Sequence, residues 1–174
     1  MQTTRPVVLY IATSLDGYIA DDRGGIDWLT EIAGDGDYGY VDFLATVDAI
    51  VMGRTTYDQV LTFGDWPYFG KKCYVFTSRK AAPDPNVELV KGDVTAFVRR
   101  LRTTVSGSIW LVGGAGLADA FFKAKLVDKL VITVVPLLLG SGIPLFRNGS
   151  PRTPLRLMEA RQYDELVQLH YVTK

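Results

Sequence analysis

Short apolar runs rich in β-branched residues alternate along the chain with segments whose apolar positions recur every three to four residues. Val7–Ala12, Ala49–Gly53, Lys72–Ser78, Val87–Val90, Ser108–Gly113 and Leu130–Leu138 read as strands. Most are apolar throughout instead of alternating, the mark of strands buried on both faces in a mainly parallel sheet covered by helices. Between them, Val41, Leu44, Ala45 and Asp48 fall on one helical stripe, and Tyr57, Val60 and Leu61 form another directly after the second strand. Phe97, Val98 and Leu101 define a helix that Asp93 or Thr95 can cap, with Arg99, Arg100 and Arg102 turned outward. A further helix runs from Leu117 to about Lys125.

The tail changes period. Leu155–Tyr163 and Leu166–Thr173 flank Asp164-Glu165, and Leu166, Gln168 and His170 alternate with Val167, Leu169 and Tyr171. That alternation predicts an antiparallel hairpin closing the sheet. The whole pattern predicts an α/β fold: a central mixed, mainly parallel sheet flanked by helices, with a C-terminal antiparallel hairpin. Thr13 to about Gly39 reads as one long loop, and its Tyr18, Ile19, Trp28, Leu29 and Tyr38 favour an ordered lid over a floppy insert.

Composition narrows the function classes. A chain of 174 residues with no repeat or flexible linker is expected to form one domain over residues 1–174. Nineteen basic residues balance nineteen acidic ones, so no sequence-wide positive field exists to hold a nucleic-acid backbone. One cysteine, Cys73, and one histidine, His170, exclude an internal disulfide and a metal site of several imidazoles; no metal is expected. Cys73 reads as a small buried strand residue and His170 as a structural one. The N-terminus is unlike a secretory signal, and no apolar run approaches the ~20 residues of a membrane span. No membrane partner is expected, and a reducing cytoplasm is the expected home.

Three turns at strand ends carry the candidate chemistry, each where an open parallel sheet binds ligands. In Val51-Met52-Gly53-Arg54-Thr55-Thr56-Tyr57 a glycine lets the backbone turn closely, hydroxyls can cap a helix whose free N–H groups attract a phosphate, and Arg54 adds a fixed charge. Taken alone it is equally a plain capped helix. Val75-Phe76-Thr77-Ser78-Arg79-Lys80 sets a hydroxyl and two cations after a strand, suited to a phosphate monoester or simply to solvent. In Ile109-Trp110-Leu111-Val112-Gly113-Gly114-Ala115-Gly116-Leu117 a buried strand runs straight into a glycine turn and a helix, so a pyrophosphate or flat ring can approach the backbone. It is not a Rossmann fingerprint, because Asp119 stands where the third glycine belongs, and no P-loop follows any strand.

Together with Ser14-Leu15-Asp16-Gly17-Tyr18-Ile19-Ala20, these turns resemble the dihydrofolate reductase-like superfamily, most closely the branch with the reductase domain of the bifunctional riboflavin-biosynthesis protein. The resemblance covers Val7 through Phe146. It implies a dihydrofolate reductase-like three-layer fold with NADPH laid across the carboxyl edge of the sheet. By that analogy Gly53, Arg54, Thr55 and Thr56 hold phosphates, while Ser78 and Arg79, with Lys80, meet the adenosine 2′-phosphate. Gly113, Gly114, Ala115, Gly116 and Leu117 pass under the cofactor through a cis Gly113–Gly114 peptide, and Ala12 and Ile19 border it.

The activity so implied is NADPH-dependent hydride transfer to a small heterocycle. The acceptor is a pyrimidine such as 5-amino-6-(5-phosphoribosylamino)uracil or a pterin such as dihydrofolate. Tyr18, Trp28, Pro136 and Gly140 are the expected substrate cleft, and Asp42 or Asp16 the candidate proton donor. Apolar Leu137–Leu139 and the final hairpin offer a homodimer surface, and this branch commonly forms one. Two rivals use the same turns: a non-catalytic nucleotide- or dinucleotide-binding module, and a flavin- or phosphosugar-binding protein.

Overall fold

A computed structural model describes residues 5–34, 36–79 and 82–174. Six strands run parallel and side by side: β1 (Val7–Ser14), β3 (Val47–Gly53), β4 (Lys72–Phe76), β5 (Val87–Val90), β6 (Ser108–Gly113) and β7 (Lys129–Val135). The hairpin of β9 (Leu155–Tyr163) and β10 (Leu166–Thr173) adds antiparallel to β7, giving the order β5-β4-β3-β6-β1-β7-β10-β9. The sheet is mixed and mainly parallel, as the apolar pattern predicts.

Parity along β3 shows why the runs are apolar throughout. Ala49 and Val51 join a core with Phe97, Val98 and Leu101 of α4 (Val94–Thr104) and Ala118, Phe121 and Phe122 of α5 (Ala115–Lys123). Ile50 and Met52 point the other way, into a core with Tyr57 and Val60 of α3 (Arg54–Val60), against which Tyr40, Phe43 and Leu44 of α2 (Tyr40–Ala45) also pack. Successive side chains of a strand face opposite sides, so a strand covered twice has no polar side. Of the two caps offered to α4, Asp93 is used: its carboxylate accepts from the Ala96 N–H at 2.8 Å.

The ends of several elements differ from the sequence pattern. β4 stops at Phe76 and β7 at Val135, and Asp48 lies in β3 instead of continuing the helix before it. The Asp48 carboxylate accepts the Gly107 and Ser106 N–H groups at 2.7 and 2.8 Å, clamping the approach to β6, and those bonds hold its pKa below the usual carboxylate range.

The long loop contains two elements. Strand β2 (Tyr18–Ala20) pairs antiparallel with the two-residue β8 (Ile143–Pro144), and α1 (Asp27–Ala33) follows. Such short strands are beneath the reach of a periodicity signal. Gly142 makes the pairing feasible: its φ is +149°, and a β-carbon there would lie 2.3 Å from the Ala20 carbonyl oxygen. No helix among the described residues is long and apolar enough to cross a membrane.

Candidate functional site

The carboxyl ends of β1, β3 and β6 open into a cleft of about 470 Å³, within the range of small-molecule sites. Its floor is glycine backbone. A β-carbon at Gly53 would lie 3.7 Å from both the Gly113 carbonyl oxygen and the Gly114 nitrogen, so the β3 and β6 turns are nearly in contact. Gly113 has φ +133°, a conformation that favours glycine, and the Gly113–Gly114 peptide is cis. Helix α5 starts at Ala115 with its first free N–H groups beside this turn. A β-carbon at Gly114 would meet Thr56 Oγ1 at 3.5 Å, and one at Gly116 would meet Arg147 Nη1 at 3.6 Å. The turns thus form a shallow trough of bare backbone bordered by a hydroxyl and a guanidinium, a donor set suited to phosphate oxygens.

The structure brings most of the expected cofactor residues to this trough. Ala12, Ile19, Gly53, Arg54, Thr55, Thr56 and Gly113 through Leu117 all line the cleft. Arg54 is oriented by Asp58 at 2.7 Å and lies 5.5 Å from the centre of the Tyr57 ring. Tyr57 in turn donates its hydroxyl to Asp84; burial first, then that carboxylate, pushes the phenol up to about 12, so it stays a donor and pins α3 to the chain before β5. Ser78 and Arg79 are exposed just past β4, outside the lining. Lys80 lies outside the described residues.

The expected substrate and proton-donor residues are placed differently. Asp42 is exposed on α2 and does not reach the cleft. The Asp16 carboxylate accepts from Ser14 Oγ at 2.6 Å, Gly140 N at 2.8 Å and Leu139 N at 3.2 Å. Those bonds, the Ser14 one foremost, lower its pKa, so it is an ionised staple between two loops and not a proton donor. Trp28 turns into a core with Val135 and Leu166, while its neighbour Leu29, a step of about 100° further round α1, lines the cleft. Tyr18, Pro136 and Gly140 also lie outside the lining, and Ile143 and Arg147 represent the tail loop there instead.

Further lining residues carry no local motif, among them Tyr10, Gln59, Phe63 and Tyr68. Tyr10 stacks on Phe43 at 4.2 Å and 12°, and its hydroxyl receives the Gln168 amide at 3.2 Å and donates to the Tyr38 carbonyl at 3.3 Å. Tyr68 packs edge-on against Trp66 and Trp110 at 5.3 and 5.5 Å. Gln59 Nε2 donates to the Gly24 carbonyl at 2.9 Å, tying α3 to the loop after β2. Arg147 had one indirect signal in Asp119, an acid on the inner face of α5. It is buried, bonded to Lys123 at 2.6 Å and to Ser150 Oγ at 2.8 Å, and so docks the loop that presents Arg147.

Comparison with known proteins agrees with this architecture. The family model described as the RibD C-terminal domain matches residues 5–169. The uncharacterized protein YwjB of Bacillus subtilis (strain 168) is 47% identical over 170 residues, covering 97% of this chain and 98% of its own. A solved structure from Shewanella sp. PV-4, provisionally named a riboflavin biosynthesis protein, is 36% identical with a TM-score of 0.89, covering 97% of this chain and 99% of that one. Dihydrofolate reductase of Enterococcus faecalis, in complex with NADP(H), shares the fold at a TM-score of 0.69 and 14% identity over 98% of this chain and 97% of its own. On the family match over residues 5–169 and the likeness of these structures, the chain belongs to the RibD C-terminal domain family and has a dihydrofolate reductase-like fold.

Proposed function

We propose that this protein is a reductase that binds NADPH in the glycine trough and delivers hydride to a small planar heterocycle held at the other end of the cleft. One observation carries the reading: the backbones of Gly53, Gly113 and Gly114 converge beside Arg54 and Arg147 at the carboxyl edge of a parallel sheet. The trough fits a dinucleotide because side chains are missing where a pyrophosphate needs backbone N–H groups, and two cations flank it. The related dihydrofolate reductase holds NADP(H) on the same fold. Reduced nicotinamide would supply the hydride.

The protein's own contribution is to bind, orient and exclude water. Gly113 and Gly114 would lie under the cofactor, Thr55 and Thr56 would donate to its phosphates, and Ile19, Ala20 and Ile143 would close one wall. Ser78 and Arg79, with Lys91 at the end of the neighbouring strand β5, would receive a 2′-phosphate. No carboxylate among the described residues lines the cleft, so solvent at its mouth would supply the proton. That same absence favours the second reading, a dinucleotide-binding module without turnover.

Calorimetric titration with NADPH and NADH tests the proposal. NADPH is expected to bind more tightly than NADH, with the preference lost in Arg79→Ala and affinity for both reduced at least tenfold in Arg147→Ala. Absence of NADPH binding refutes it. Binding without NADPH oxidation on any planar acceptor selects the second reading.

A further inference from the structure

The cleft is charged at one end only. Among the described lining residues the formal charges are Arg54 and Arg147, and both flank the glycine trough. The lining that lies off the glycine turns includes Tyr10, Leu29, Val60, Phe63 and Tyr68, with Gln59 as its amide, and Val60 and Phe63 sit at and beyond the far end of the helix that Arg54 begins. It holds neither a cation to pair a phosphate or carboxylate nor an acid to pair a protonated ring.

Two of the polar groups there are already engaged. The Tyr10 hydroxyl is engaged by Gln168 and the Tyr38 carbonyl, and Gln59 spends its amide hydrogen on Gly24, which leaves its Oε1 without a protein partner among the described residues. The walls are fixed in place: Tyr10 is clamped by Phe43, and Tyr68 by Trp66 and Trp110. An unpaired charge moved from water into such a slot meets a large desolvation cost, whereas a flat neutral ring gains apolar burial and stacking on aromatic faces.

We infer that this end of the cleft binds an uncharged planar ring compound carrying neither phosphate nor carboxylate, with a ring N–H donated to Gln59 Oε1 as a directional contact. The inference rests on the proposed reading in which the glycine trough takes the dinucleotide. It sets this chain apart from a reductase of a ribosyl-phosphate pyrimidine, whose phosphate finds no partner in this end.

Matched probes test it by titration of the full chain, followed by protein fluorescence and calorimetry: 1-naphthol against 1-naphthyl phosphate, and 2-quinolone, whose lactam ring carries an N–H, against 2-quinolone-4-carboxylate. Each titration is run alone, with saturating NADP⁺, and on the Arg54→Ala/Arg147→Ala variant, which removes the trough cations as a route for anions. The neutral member of each pair is expected to bind at least tenfold more tightly in all three settings. Phe63→Arg, at a position 57% exposed, places a cation at this end without disturbing the core and is expected to narrow or reverse the naphthol preference. Equal or tighter binding of the charged member in the double variant overturns the inference, as does failure of both neutral rings to bind up to millimolar concentration. NADPH is titrated separately. Neutral rings binding without NADPH would sink the proposed function alone, and NADPH binding with charged rings preferred would sink this inference alone.

Discussion

Gly142 and Gly140 lie two residues apart in the loop before β8, and replacing each with alanine separates backbone strain from collision. Gly140 has φ +77° with nothing within 4 Å of a β-carbon, so Gly140→Ala meets only the cost of a left-handed residue, about 1 kcal/mol. Gly142 has φ +149°, in a region costing ~1–3 kcal/mol for other residues, and its β-carbon would stand 2.3 Å from the Ala20 carbonyl oxygen. That backbone oxygen moves only if β2 and β8 part. Their register has two residue pairs, Tyr18 with Pro144 and Ala20 with Ile143, so separation sacrifices ~1–3 kcal/mol of hydrogen bonding, which the backbone strain and the collision relieved together exceed by roughly 1–2 kcal/mol. In Gly142→Ala the flap is therefore open much of the time, and Ile19, Ala20 and Ile143 leave the cleft wall. A ligand must close it again, which weakens NADPH affinity by roughly 5–30-fold for 1–2 kcal/mol, while Gly140→Ala stays within about threefold of wild type. Hydrogen exchange at the Leu145 amide, which bonds the Gly17 carbonyl at 3.0 Å, reads flap opening independently of ligand. Equal Leu145 protection and equal affinity in the two variants would refute the reasoning.

Other consequences follow from single contacts. Gln168 is 1% exposed and its amide donates to Thr133 Oγ1, the Tyr38 carbonyl and Tyr10 Oη, so Gln168→Leu leaves buried polar groups unpaired and is expected to lower unfolding stability in urea by about 2–3 kcal/mol; an unchanged midpoint contradicts this. Burial, and after it Arg161, holds the His170 imidazole below its usual 6.5. The unfolded chain then takes up this proton first, so the group's contribution to stability is intact above about pH 6.5 and declines as pH falls; in His170→Gln the melting temperature between pH 7 and 5 should flatten. Burial pushes the Cys73 thiol up to about 12, so iodoacetamide at pH 8 should label it only after denaturation, and native labelling at the free-thiol rate would contradict the burial. The outer strand β9 leaves Leu157 and Met158 exposed at 53% and 56%, an edge that a second copy of this chain would cover; light scattering should give a dimer for wild type and a monomer for Leu157→Arg, and a monomeric wild type refutes it.

The fold was legible where burial on two faces leaves its trace in composition. The run Ala49–Gly53 is apolar because β3 is covered on both sides, and the alternation in the hairpin reflects pairing in which Gln168 is buried and Val167 is not. The β2–β8 pair left no such trace. Its register involves so few residues that its existence depends on Gly142 and on the Asp16 staple, 124 positions from the Gly140 nitrogen it holds. A contact of that sequence separation has no period.

The same distinction divides the cleft. Its glycine end was readable because close backbone approach demands glycine at the position itself, so Gly53, Gly113 and Gly114 announce the trough without any partner being known. The other end is assembled from side chains whose individual identities are ordinary: Tyr10 on β1, Leu29 on α1, Phe63 and Tyr68 between α3 and β4. Each is as much a core residue as a ligand contact, and only the tertiary arrangement decides. Trp28 and Leu29 make the point: Trp28 was the expected cleft residue, yet it is buried in the core with Val135 and Leu166, while Leu29, packed against that same core, is the one that also reaches the cleft. Asp42 and Asp16 failed for a related reason: a carboxylate's chemistry is set by what it accepts from, and Asp16 takes its bonds from Ser14, Leu139 and Gly140 instead of facing the cleft. In this architecture the trough that would hold the dinucleotide is written in local sequence, and the wall that would select the acceptor is written in packing. Relatives that share the glycine turns can therefore differ in substrate, and Phe63 and Tyr68 are the positions where such differences are expected to show.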